Sequence, residues 1–129
     1  MTPPFFPQTS PFGLVPPEQP PSIVRVSGAS GAVYQFQLHP IGTPYLPRSG
    51  VYVFVKMGCN GKWDPIYVGE TSSFQRRLSD DLGMHHQWRG IVANRASHIL
   101  TLHVPGSLTA REAIETDIRR ITNTPCNQQ

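Results

Sequence analysis

The sequence predicts an α+β fold, a small, mostly antiparallel sheet of three to four strands flanked by helices. Three observations carry this expectation. Residues 33–39 alternate strictly, with Tyr34, Phe36 and Leu38 on one face, the pattern of a half-buried strand. Residues 50–56 are β-branched and aromatic on both faces, as a central strand requires. Helix-spaced apolar residues then appear twice, at Phe74, Leu78 and Leu82 and again beyond residue 109.

A chain of 129 residues has room for one domain with a core, and 38% hydrophobic against 15% charged residues is a globular balance. Eight of the 14 prolines fall within residues 1–21. Proline removes N–H donors and blocks helix interiors and central strands, so residues 1–22 are expected to form an extended or disordered arm. Phe5, Phe6, Phe12 and Leu14 could lay that arm on the domain or on a partner. Residues 23–129 are expected to be a single domain. The net charge of +3, with a pI near 9.2, permits a polyanionic partner without requiring one. Cys59 and Cys126 lack metal-type spacing and read as thiols of a reducing compartment, with one disulfide as the alternative. No basic, apolar leader and no membrane-spanning run is present, so a cytoplasmic, intracellular protein is expected.

The elements follow in order. Prolines 40, 44 and 47 mark a loop after the first strand. The strand at 50–56 turns through Gly58, Asn60, Gly61, Asp64 and Pro65 and returns as Ile66, Tyr67 and Val68, a β-hairpin. Thr71, Ser72 or Ser73 can cap the helix that carries Phe74, Leu78 and Leu82, with Gly83 ending it. Residues 84–95 read as a weaker helix or irregular segment anchored by Trp88, Ile91 and Val92. Residues 99–104 alternate around Leu100, Leu102 and Val104 as another core strand, broken by Pro105 and Gly106. Thr109 and Glu112 have capping-box spacing, opening a helix to about residue 122. Its apolar stripe is Ala110, Ala113 or Ile114, Ile118 and Ile121.

Chemistry gathers where these elements meet. Paired strands put Gly50, Val51 and Tyr52 beside Tyr67, Val68 and Gly69. Arg77 follows on the next helix, Glu115 lies beside the apolar stripe of the last one, and Asn127 follows in the final turn. Arginine offers a permanent charge and a planar fork of donors, suited to phosphate. Arg76 is the neighbouring alternative, Glu112 the rival carboxylate, and Arg111 and Arg119 could hold Glu115 in surface ion pairs. His85 and His86 read as a solvated loop pair, with phosphate contact or proton transfer as the alternative.

These five elements, in this order, resemble the GIY-YIG nuclease family over residues 48–128. The resemblance implies a metal-dependent endonuclease that hydrolyses phosphodiester bonds of DNA, with RNA as an alternative substrate. It assigns catalytic roles to Tyr52, Tyr67, Arg77, Glu115 and Asn127. Arg77 would steady the phosphate, Glu115 would hold one Mg²⁺ or Mn²⁺, and the tyrosines would activate or orient water. Asn127 would tie the chain end to the site. Arg76, Gly69 and His85 are the candidate nucleic-acid contacts. Residues 50–129 carry nine Lys/Arg against seven Asp/Glu, a balance of only +2, so target specificity would come from the arm, a dimer or another protein. Two positions depart from the family's pattern. Glu70 and Asp81 each add a carboxylate where a polyanion would sit, and Glu70 would need a cation or an arginine to offset it. Both keep open a second reading, a binding module of the same fold that recognises nucleic acid or a protein. A third is an interaction protein working through the proline-rich arm.

Overall fold

Strands form where β-branched and aromatic residues run together, and the described residues hold five of them: β1 (Ser22–Ser27), β2 (Val33–Pro40), β3 (Gly50–Met57), β4 (Trp63–Thr71) and β5 (His98–His103). This computed structural model describes residues 22–122 and 124–127; the expected arm, with Phe5, Phe6, Phe12 and Leu14, lies outside the described residues. The strands make one antiparallel sheet in the order β1-β2-β5-β3-β4. The sheet is therefore larger than the three to four strands expected. The extra strand is β1, whose Val24 and Val26 point inward while Ile23 and Arg25 point outward. Six residues with only two inward valines give a weak periodic signal.

β3 lies between β5 and β4, and Gly50 through Val55 are all buried, as a central strand demands. The hairpin to β4 carries a β-bulge next to Phe54 and Val55, which leaves Ile66 without an opposite residue. Ile66 and Tyr67 consequently join the same side of the sheet. Pro65 is tolerated because β4 is an edge strand.

Each face of the sheet is covered over part of its area. On one, Tyr52, Phe54, Ile66, Tyr67 and Ile99 pack against Phe74, Leu78, Ile91 and Cys126. On the other, Phe36, Val51, Val53, Val55, Val68 and Leu100 pack under the helix α2 (Leu108–Arg119), with Ile118 fully buried. Burying an isoleucine of this kind stabilises by about 1.5–3 kcal/mol. Among the described residues, no helix is long and apolar enough to cross a membrane.

Several local expectations need correcting. The segment after β4 is a short π-type helix (Gln75–Asp80), in which Asp81 N–H donates to the Arg76 carbonyl five residues back. Ser73 supplies its first cap, its Oγ accepting from Arg76 N–H at 3.2 Å. A separate 3₁₀ turn (Leu82–Met84) contains Gly83, which therefore does not terminate a helix. The segment after it forms a one-and-a-half-turn helix, α1 (Trp88–Ala93), held by buried Ile91, while Val92 is exposed. α2 is capped by Ser107, whose side chain accepts from Ala110 N–H, so Thr109 and Glu112 are not its capping box. It ends at Arg119, which leaves Ile121 outside it and exposed, and Ala113 faces solvent.

Candidate functional site

The hairpin register places Tyr52 opposite Gly69 and Phe54 opposite Tyr67. A Cβ on Gly69 would lie 2.6 Å from the Tyr52 hydroxyl and 2.7 Å from the Tyr67 ring. Only glycine lets the two rings share that surface, with centroids 6.1 Å apart. Gly69 thus shapes the site by lacking a side chain, and no nucleic-acid contact is needed to explain it.

Tyr52 is fully buried and its hydroxyl lies 2.7 Å from His85 Nε2. His85 Nδ1 accepts from Gln87 N–H at 3.1 Å, so on the neutral ring the proton sits on Nε2 and is donated to Tyr52. Burial, reinforced by His86 and Arg77, lowers the His85 pKa to about 4, which keeps it neutral. His86 stacks on His85 at 4.7 Å and reaches the Tyr67 hydroxyl at 3.3 Å. The expectation of a solvated histidine pair fails for His85, while His86 is exposed as expected. His85 is buried, because the pair sits in a turn between two short helices, where adjacent side chains need not diverge. That burial also removes His85 from direct contact with a nucleic acid.

Arg77 and Glu115 both act on this pair of tyrosines. Burial raises the pKa of Tyr52, as does Tyr67, while Arg77 partly offsets both effects. Burial and then Glu115 raise that of Tyr67, and Arg77 again opposes. The structure thus brings together Tyr52, Tyr67, Arg77 and Glu115 from four elements, β3, β4, the π-type helix and the last helix. Arg77 is half-buried, whereas Arg76 is exposed. Both hydroxyls are kept protonated, which suits them to orienting a water or a phosphate oxygen by hydrogen bonds.

Glu115 is half-buried, and burial pushes its carboxyl up, with Glu70 and Glu112 adding to this and Arg119 opposing. Among the described residues it has no ion pair; Arg111 is committed elsewhere. A partly desolvated carboxylate without an ion pair fits a divalent cation that keeps most of its waters. Among the described residues no three His, Cys, Asp or Glu side chains cluster as a metal cage.

Glu70 follows a rule that the sequence already contained. Side chains alternate along β4, so Glu70 pairs with Val51 on the α2 face, away from Tyr67 and Gly69. There its Oε1 accepts from Arg111 Nε at 2.8 Å. Arg111, which we expected to flank Glu115, instead neutralises Glu70. Asp81 is exposed at the end of the π-type helix.

Asn127 is hydrogen-bonded to the edge strand β4. Its Oδ1 accepts from Val68 N–H at 2.7 Å and its Nδ2 donates to the Val68 carbonyl at 3.0 Å. The side-chain amide stands in for a neighbouring strand at the outer edge of β4. Its side-chain hydrogen bonds go to Val68 rather than to either tyrosine hydroxyl. No protein-family profile, curated protein or solved structure gives a significant match to this chain.

Proposed function

We propose that this protein is a metal-dependent endonuclease that hydrolyses phosphodiester bonds of DNA. The supporting observation is the convergence of Arg77 and Glu115 on the Tyr52–Tyr67 pair, from a helix on each face of the sheet. Arg77 binds the phosphate through its guanidinium and offsets charge that develops on it. Tyr67, the more accessible of the two tyrosines, orients the attacking water, and Tyr52, locked by His85, holds the geometry beneath it. Glu115 would hold one Mg²⁺ or Mn²⁺, which when bound supplies positive charge to the phosphoryl oxygens. Asn127 fixes the strand that carries Tyr67.

Incubating the protein with supercoiled plasmid in the presence and absence of Mg²⁺ tests this reading. Nicking should require metal and vanish in both Arg77→Ala and Glu115→Ala. Nicking that survives either substitution rejects the assignment. One observation favours a second reading, a binding module of the same fold. Both tyrosine hydroxyls are held protonated, so neither is a ready base at neutral pH. Nucleic-acid binding that persists in Glu115→Ala, with no cleavage by the wild type under any metal, would select it.

A further inference from the structure

On the face of the sheet that carries the tyrosines, the β3–β4 half is covered by short helices, and a groove of about 420 Å³ opens over the other half. Its floor is Gln35, Gln37 and His39 of β2 with Thr101 and His103 of β5; the loop bearing Arg48 and the ring of Phe74 form its wall. Register makes this groove the direct neighbour of the tyrosine site. Tyr52 pairs with Thr101, and Thr101 pairs with Gln37. Two strand spacings, about 10 Å, therefore separate Tyr52 from Gln37 on one face. The wall is shared as well, since Phe74 and Gln75, at the start of the helix carrying Arg77, donate backbone N–H groups to Arg48 and Leu46.

The lining is rich in unused hydrogen-bonding groups. Thr101 is 7% exposed, lines the groove, and its hydroxyl has no partner among the described residues. The Tyr45 hydroxyl is buried without a partner in the same wall. The Gln35 and Gln37 amides, each offering donors and an acceptor, also have none among the described residues. His103 Nδ1 donates to the Ser49 carbonyl at 2.9 Å, which leaves Nε2 as an acceptor. Gln35 and Gln37 are exposed and so are met by water, whereas the Tyr45 hydroxyl is buried, and a buried polar group without a partner is costly unless something arrives to satisfy it. Charge points the same way. No Asp or Glu occurs from residue 22 to residue 63 or from 82 to 111, so the groove and its surrounding strands carry no carboxylate.

We propose that this groove binds one nucleotide of a single-stranded nucleic acid beside the tyrosine site, with Arg48 on its phosphate and Gln35, Gln37 and Thr101 on its base edge. A recess of this volume holds about one nucleotide, and its polar floor can read a base only when that base is unpaired. The proposal rests on the reading that the adjoining site handles phosphodiesters, and it names the form in which the strand is presented there.

The test is fluorescence anisotropy of the full chain with a labelled single-stranded oligonucleotide in EDTA, where no cleavage can occur. Arg48→Glu, at an exposed position, should weaken binding about tenfold at low salt and flatten the salt dependence by about 0.7 in log–log slope, the loss of one phosphate contact. Thr101→Val preserves shape and β-propensity, and with Gln37→Ala it should weaken binding about three- to tenfold while leaving the salt slope alone. Unchanged affinity in all three variants overturns the proposal. So does a mononucleotide that competes as well per site as the oligonucleotide, which would make the groove a free-nucleotide site. Groove-dependent binding in a protein that never cuts would support this site and sink the hydrolytic reading alone.

Discussion

One side-chain amide, that of Asn127, satisfies both backbone hydrogen-bonding groups of Val68 in the edge strand β4. Unpaired edge groups invite other strands, so this contact seals the sheet where Tyr67 and Gly69 flank Val68. Asn127→Ala should cost about 1–3 kcal/mol, two hydrogen bonds at roughly 0.5–1.5 each. Asn127→Asp should cost at least as much at neutral pH, because a carboxylate would face the Val68 carbonyl. Urea midpoints for both variants check the ordering, and an Asp variant as stable as wild type would refute it.

Gly69 must lack a side chain. The Cβ of Gly69→Ala would meet the Tyr52 hydroxyl at 2.6 Å, and the Tyr52 ring is fully buried. We expect a loss of about 1–3 kcal/mol from overpacking and displacement of the Tyr52 ring. A shift in tyrosine near-ultraviolet circular dichroism together with a lower melting temperature would report it.

Glu70 and Arg111 form the one ion pair among the described residues, and both are largely removed from water, 22% and 9% exposed. Either alanine substitution should destabilise by about 2 kcal/mol, below the range for a fully buried pair because Glu70 keeps some solvent contact. The double substitution should cost less than the sum. Because Glu70 faces α2, Glu70→Gln should leave plasmid nicking within about twofold of wild type. A thermodynamic cycle with no coupling, or a nicking loss as deep as that of Arg77→Ala, would show that Glu70 belongs to the site.

His85 makes stability depend on pH. Its pKa in the folded protein is about 4, against an ordinary value near 6.5. Between those values the unfolded chain holds a proton that the folded chain lacks, so stability should rise as pH increases through that window and level off above it. With His85 buried, a fall from about 6.5 to about 4 corresponds to a rise of up to about 3 kcal/mol across that window. His85→Gln, which can still donate to Tyr52, should remove that slope while leaving stability above the window nearly unchanged. Denaturation midpoints stepped across the window decide it.

Much of the fold was legible because hydrophobic period is a strong signal in long elements. β2, β3 and α2 stand close to where alternation and helical spacing put them. What escaped was set by contacts between distant segments or by single backbone bonds. β1 is held by pairing with β2 and by a hairpin turn that α2 secures, where Asp117 accepts from Ser30 and Tyr34. The cap of α2 moved from Thr109 to Ser107 because the first helical N–H groups reach only so far back. At the site, the approach of Tyr52 and Tyr67 followed from hairpin pairing, whereas the His85 contact spans 33 residues and carries no sequence pattern. The position of Glu70 on the α2 face was available from period two alone.

The strand order has a consequence for how the protein is made. β5 separates the β1–β2 hairpin from the β3–β4 hairpin in the sheet, yet it follows both in the chain. During synthesis the two hairpins emerge first, and the edges of β2 and β3 that β5 will join stay bare until residue 103 has left the ribosome. A nascent chain stalled before that point would display two unmatched strand edges, the state most prone to pairing with a neighbour. Completion of the sheet, and with it of the row Gly69, Tyr52, Thr101 and Gln37, is therefore a late, single event in the life of each molecule.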